Sequence, residues 1–397
     1  MPFDVASVRG QFPTLGDGWI HMDARDGMQI PASVATAWTE AVTAFPVSPR
    51  GLSPQAVAAA GTETAARQAV ADLLEADPGG IVFAPSRNAL ITALADALPR
   101  AVWEGEIILS RLDDESNIVP WLRAARRYGA QVRWAEVDVT DGTLPPWQFE
   151  DLINDRTTLI AVTLATSTTG AITDIGQIAG YARGSGALLV VDASSAAPYV
   201  RVDIAETGAD AVLVSPERWG GPRMAAMALA DPSVLADWSS VSLQPGESGP
   251  RRLEPELVGA PELAALVASV EHLAGLDPSA AGDRRARLTG SMDELYEYLQ
   301  RLTFYLVNAL QHLGRVQVIG PDAHRVPVVT FTVDGVPAEQ VCRRLADNGI
   351  SALHDVPNRA LVRIGVADFG GAVTVALAPY STPYEVDQLA RALGSFG

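Results

Sequence analysis

Lysine is absent from this chain. All 29 basic residues are arginine, set against 47 aspartates and glutamates, for a formal charge of −18. A guanidinium stays protonated near neutral pH and cannot serve as an amine nucleophile, so chemistry that needs a lysine amine is excluded. The shortage of positive charge, with an isoelectric point near 4.6, argues against nucleic acid or an anionic membrane as partner, because phosphate binding needs a basic face. Cysteine is nearly missing too: Cys342 stands alone, which rules out an internal disulfide or a thiolate metal cluster. Five histidines (His21, His272, His312, His324, His354) are scattered without an i, i+4 pair, so no metal site is expected. No run of eighteen apolar residues occurs and the first dozen residues hold no long apolar segment, from which we expect no signal peptide, no transmembrane helix and a cytoplasmic protein.

What is present is a large apolar complement, 48 % of 397 residues, enough for a sizeable core and more than one ordinary domain. Short β-branched runs alternate with amphipathic segments: IVF (81–83), EIILS (106–110), AQVRW (130–134), LIAVTL (159–164), ALLVVD (187–192), DAVLVS (210–215) and MAAMAL (224–229). Between most of them lie helical patterns such as 63–76 and 118–129. Strands apolar throughout and separated by helices predict a mainly parallel sheet covered on both faces. After residue 250 the rhythm changes. LVASVEHLAGL and a long stretch from Arg287 to Leu313 read as helices. PVVTFTV (327–333), the helix 338–349, the strands ALVRIGV and AVTVALA, and a closing helix EVDQLARAL then make a smaller α+β lobe. The Pro/Gly-rich stretch LQPGESGPRRLEP (243–255) is the expected mobile loop.

The segment from Asp174 to Leu229 resembles class V aminotransferases and cysteine desulfurases, in which a helix leads to a strand ending in Asp and a second strand ends in Ser before a His-Lys pair and a Gly-Pro turn. PFDVASVRGQFP is similar to the family's start, SRLDDESNIVPW (110–121) to its cofactor-stacking segment, and YSTPYEVDQLARAL (380–393) to its final helix. The resemblance implies a fold type I pyridoxal-phosphate scaffold: an α/β fold with a mainly parallel seven-stranded sheet flanked by helices, plus a smaller C-terminal α+β lobe. The expected division is 15–288 for the large domain and 1–14 with 289–397 for the small one. A homodimer with sites at the subunit interface is also implied.

Carried over residue by residue, the resemblance puts the pyridine-pairing Asp on Asp192 and the phosphate-binding Ser on Ser215. A carboxylate capping the next turn and a plain turn serine are the simpler alternatives. The Schiff-base lysine falls on Arg218 and its preceding histidine on Glu217. The ring-stacking histidine falls on Asp114, the Asn that contacts the ring hydroxyl on Ser167, the neighbouring Gln or His on Ser195, and the substrate-binding arginine on Thr374. Where the family holds phosphate at a helix N-terminus, this chain has Ser86, Arg87 and Asn88. These residues could hold an anion, although a capped helix with a surface arginine explains them as well.

The desulfurase loop equivalent, HDVPNRALVRIGVADFGG, contains no cysteine. Cys342 lies in a helix beside Val341, Leu345 and Ala346, which favours a packed thiol. Pyridoxal phosphate is implied by resemblance only, and no covalent attachment is expected.

Three functional classes remain: a catalytically degenerate homologue, an enzyme holding a phosphate-bearing ligand noncovalently with Asp114 or Glu115 as general base, and a purely partner-binding protein. A guanidinium at position 218 must be paired if buried. Asp192, Glu217, Asp114 or a bound anion are the available partners, with Asp192 or Glu217 expected and a turn toward Ser86, Arg87 and Ser215 the alternative.

Overall fold

A computed structural model describes residues 3–44, 51–355, 358–366 and 370–396. Its larger sheet has seven strands in the spatial order 81–84, 225–229, 211–214, 188–192, 157–163, 106–110, 131–135. Most strands, such as Ile81–Ala84 and Ala211–Val214, are buried at every position, as expected of a sheet covered on both faces. Five strands, from 211–214 to 131–135, pair in parallel. The strand Ala225–Leu229 runs antiparallel to both of its neighbours, so Ile81–Ala84 points the same way as the parallel set. Six strands therefore end along one edge, where open α/β sheets place their ligands. Ser86, Asp113, Ser167, Asp192 and Ser215 all lie in or just after those ends.

The second sheet has four antiparallel strands, ordered 353–355, 372–376, 328–333, 316–319. The 28-residue helix Arg284–Gln311 buries Leu295, Leu299, Leu302 and Leu306, a 3.6-period stripe that holds it to the core. A two-stranded parallel pairing joins Ile20–His21 to Ile350–Ser351. No helix of the described residues is long and apolar enough to cross a membrane.

Two expectations are corrected. ALVRIGV, expected as a strand, is the short helix Arg359–Arg363 and the turn after it: the Asn358 side chain caps it by accepting from the Leu361 amide at 2.8 Å, and Gly365 follows with φ 85°. Local capping overrides β propensity there. The stretch 243–255, expected as a mobile loop, ends in a 3-10 turn, Gly249–Leu253. Its tail is pinned by Arg251 on Glu63 at 2.5 Å and by buried Glu254, which accepts from the Phe83 amide at 2.8 Å. Of the loop 354–371, residues 356–357 and 367–369 lie outside the described residues, as does Pro2 of the N-terminal stretch.

Candidate active site

Arg87 is the first residue of the helix Arg87–Ala97, which Ser86 caps by accepting from the Ala89 amide at 3.2 Å. The guanidinium does not project to the surface. It turns along the sheet edge and donates from Nη1 to Asp192 Oδ2 at 2.6 Å, while Nη2 lies 3.5 Å from Asp114 Oδ2. The other oxygen of Asp192 accepts from the Ser194 amide at 2.9 Å. Burial works against the Arg87 charge, but Asp192 and Asp114 outweigh it and raise the guanidinium above its ordinary pKa. A buried pair of this kind is costly to break, about 3–5 kcal/mol when one partner is removed.

Asp114 precedes the helix Glu115–Tyr128 and makes no side-chain cap. Its Oδ1 accepts instead from the Ser167 hydroxyl at 2.5 Å, and Arg218 Nη2 stands 3.7 Å from Oδ2. Burial pushes this carboxyl up, yet Arg87 and Arg218, helped by the Ser167 hydrogen bond, hold it below the usual carboxylate range.

Of the carboxylates available to Arg218, Asp114 stands nearest, in place of the favoured Asp192 or Glu217. Arg218 sits in the 3-10 turn Pro216–Trp219, and its Nη1 donates to the carbonyl of Arg25. That turn is held against the N-terminal segment by Gly220, in the left-handed region at φ 83°, where an added Cβ would stand 2.5 Å from the Gln29 carbonyl. Arg218 is thereby aimed at Arg25 and Asp114, leaving Asp192 to Arg87. Nor does it converge with Ser86 and Ser215: the Ser86 hydroxyl caps its helix, and the buried Ser215 hydroxyl accepts from Ser194 at 3.2 Å.

Thr374 and Ser195 are buried. Thr374 donates to Asp355 Oδ2 at 2.6 Å and lies 2.7 Å from the Thr330 hydroxyl. Asp355 in turn binds Arg25 at 2.6 Å. Asn88 stays in the first helical turn, where its carbonyl accepts from the Thr92 hydroxyl at 2.6 Å. Glu217 has a buried Oε2 without a hydrogen-bond partner among the described residues, and burial raises its carboxyl pKa.

Three residues in or beside this network went unrecognised in the sequence. Asp113, 5 % exposed, accepts from the Thr163 amide at 3.1 Å and from Asn117 Nδ2 at 2.7 Å, and burial raises its pKa well above the usual range. The doubled acid at a strand end was its available signal. Arg25 and Asp355 carried none, being separated by 330 positions. Cys342 is half-buried against the core, and burial pushes its thiol up to about 12, which disfavours a reactive thiolate.

The side chains do not fit pyridoxal phosphate held in the manner the resemblance implies. The chain offers no lysine, and both oxygens of Asp192 are taken, one of them by a cation of the chain itself. The arrangement is a string of ion pairs and hydrogen bonds from Asp192 through Arg87, Asp114, Arg218 and Arg25 to Asp355, joining the edge of the larger sheet to the smaller one.

Comparison with known proteins places these residues in context. Residues 21–238 match the model of the aminotransferase class-V family. The chain is 51 % identical to an uncharacterized protein of Mycobacterium tuberculosis, over the full length of both. It is 31 % identical to an aminotransferase-like protein of Gibberella zeae, over 98 % of each chain. Among solved structures, the apo cysteine desulfurase from Thermococcus onnurineus superposes with a TM-score of 0.85 at 20 % identity, covering 98 % of this chain and 97 % of that one. This last likeness speaks for the fold alone.

Proposed function

The chain belongs to the class-V aminotransferase family, and from that premise we propose that it is a member whose former cofactor site is closed by arginine–carboxylate pairs. It forms no internal aldimine and carries out neither transamination nor cysteine desulfuration. One observation carries the reading: Arg87 occupies Asp192 at 2.6 Å in a chain with no lysine. Substitutions at the other family positions agree with it. Asp114 has no flat face to stack on a ring, and Thr374, where the resemblance expects a substrate-binding arginine, donates to Asp355.

The protein acts as a homodimer, with its large lobe ending near residue 288. The helix Ala32–Ala44 has one charged residue, Glu40, and yet leaves Trp38 44 % and Val42 42 % exposed. Trp38 and Val42 stand one helical turn apart, an exposed apolar pair of the kind that marks a contact surface. The second reading, a phosphate-bearing ligand held noncovalently, has less support. Ser86 and Ser215 are engaged in the chain's own hydrogen bonds, and Glu115, one of the bases it would use, pairs with Arg359 at 2.7 Å.

The test uses the purified wild-type protein with pyridoxal phosphate, followed by absorbance, borohydride reduction and mass measurement, and assays with cysteine and other amino acids. No reducible adduct within the site and no turnover are expected. A reduced adduct in the site together with turnover would overturn the reading. Sedimentation should give a dimer that Trp38→Glu weakens, and a stable wild-type monomer would remove that part.

A further inference from the structure

Asp192 closes its strand with a side chain only 2 % exposed, and Arg87 beside it is 11 % exposed. A carboxylate so far from water persists as an ion only when paired and hydrogen-bonded. Oδ1 is committed to the Ser194 amide, so Oδ2 is the acceptor left for a cation. Arg87 fills it with a flat group whose second nitrogen faces Asp114.

The neighbours are organised independently of Arg87. Ser86 caps the helix through its own hydroxyl. Arg218 is anchored on the Arg25 carbonyl and also faces Asp114, so Asp114 keeps a counter-charge when Arg87 is gone. Truncating Arg87 would therefore uncover Asp192 in particular.

We propose that Arg87 is a built-in occupant of the site, an intramolecular planar N–H cation whose removal opens Asp192 to a free cation of the guanidinium or amidinium class. The site is self-occupied, and Arg87 determines what it excludes. A ligand must compete with a group tethered beside Asp192, and its apparent affinity falls with the fraction of time that group leaves. This inference rests on the reading of a closed cofactor site and adds the class of cation for which Arg87 stands in.

The experiment compares wild type, Arg87→Ala and the double variant Arg87→Ala/Asp192→Asn in thermal unfolding. The probes are guanidinium and benzamidine at concentrations too low to denature, with tetramethylammonium as a cation lacking N–H donors. Arg87→Ala should melt below wild type and recover saturably with either planar cation, binding it at least about tenfold tighter than wild type does. The double variant and the tetramethylammonium arm should show no saturable shift. If Arg87→Ala does not accumulate as folded protein, Arg87→Ser, whose short side chain also leaves Asp192 Oδ2 uncovered, carries the same comparison.

Equal responses of wild type and the Arg87 variant would overturn the proposal, as would a response that survives Asp192→Asn or is matched by tetramethylammonium. Those failures differ from failure of the closed-site reading, which would appear as a reducible adduct in the wild-type protein.

Discussion

Arg325 Nη2 donates to the carbonyl of Thr169 at 2.6 Å, across the joint between the two sheets. The guanidinium is almost wholly buried, and it also donates to the carbonyls of Pro321 at 2.8 Å and Val328 at 2.7 Å. Burial brings its pKa down to about 10, which still leaves it charged at neutral pH. Gly170 makes the approach possible: its φ is 76°, and an added Cβ would collide with the Val328 carbonyl. Arg325→Met keeps much of the stem but leaves the carbonyls without their donor. At about 1–3 kcal/mol for an unsatisfied buried group, we expect a loss of at least about 3 kcal/mol in urea unfolding. A change under about 1 kcal/mol would mean that the carbonyls find other donors.

Glu254 holds the tail of the 243–255 stretch against the sheet edge through the Phe83 amide and Arg67, at 2.8 and 3.0 Å. Glu254→Ala removes a buried carboxylate and strands Arg67, which among the described residues keeps only Glu63 as a charged partner. The expected destabilisation is about 3–5 kcal/mol, and limited proteolysis should cut within 243–255 earlier than in wild type. Unchanged stability and cleavage would restore the picture of a free loop.

Arg218→Lys supplies an amine but should not create a transaminase. Arg87 still covers Asp192, and Asp114 and Thr374, where the resemblance expects stacking and clamping groups, are engaged by Ser167 and Asp355. Losing one oriented polar contact can remove about 3 kcal/mol of transition-state stabilisation, and several are missing together. Spectral titration with pyridoxal phosphate and single-turnover assays on the variant provide the check. Robust transamination would contradict the account of the site.

His272 is buried with Nδ1 3.0 Å from Gln11 Oε1, and burial lowers its pKa from 6.5 to about 4. The unfolded chain therefore binds a proton between pH 6.5 and 4 that the folded chain refuses. The associated stability is fully present above about 6.5 and is lost as the pH falls through about 4. At 1.36 kcal/mol per unit, the 2.5-unit gap amounts to about 3 kcal/mol in full. His272→Gln should flatten this part of the stability-against-pH curve measured by denaturant unfolding. Parallel curves for variant and wild type would show that His272 does not titrate in this way.

The order of strands and helices in the larger sheet was legible in the sequence, because apolar periodicity is a local property and strands such as 188–192 and 211–214 are buried as their composition dictates. The absence of a lysine amine was equally plain, needing no coordinates at all. Tertiary structure alone decided where the arginines point. The family resemblance implied the lysine's place for Arg218, but the turn that carries it faces Arg25, and the long side chain of Arg87 reaches Asp192 across 105 positions. The link between Arg25 and Asp355 spans 330 positions and had no local signal. Helix 359–363 was hidden for a related reason, since one capping asparagine outweighs the β-branched residues that follow it. Backbone periodicity is written in neighbouring residues, whereas the direction of a buried charged side chain is set by whichever opposite charge the fold brings within reach.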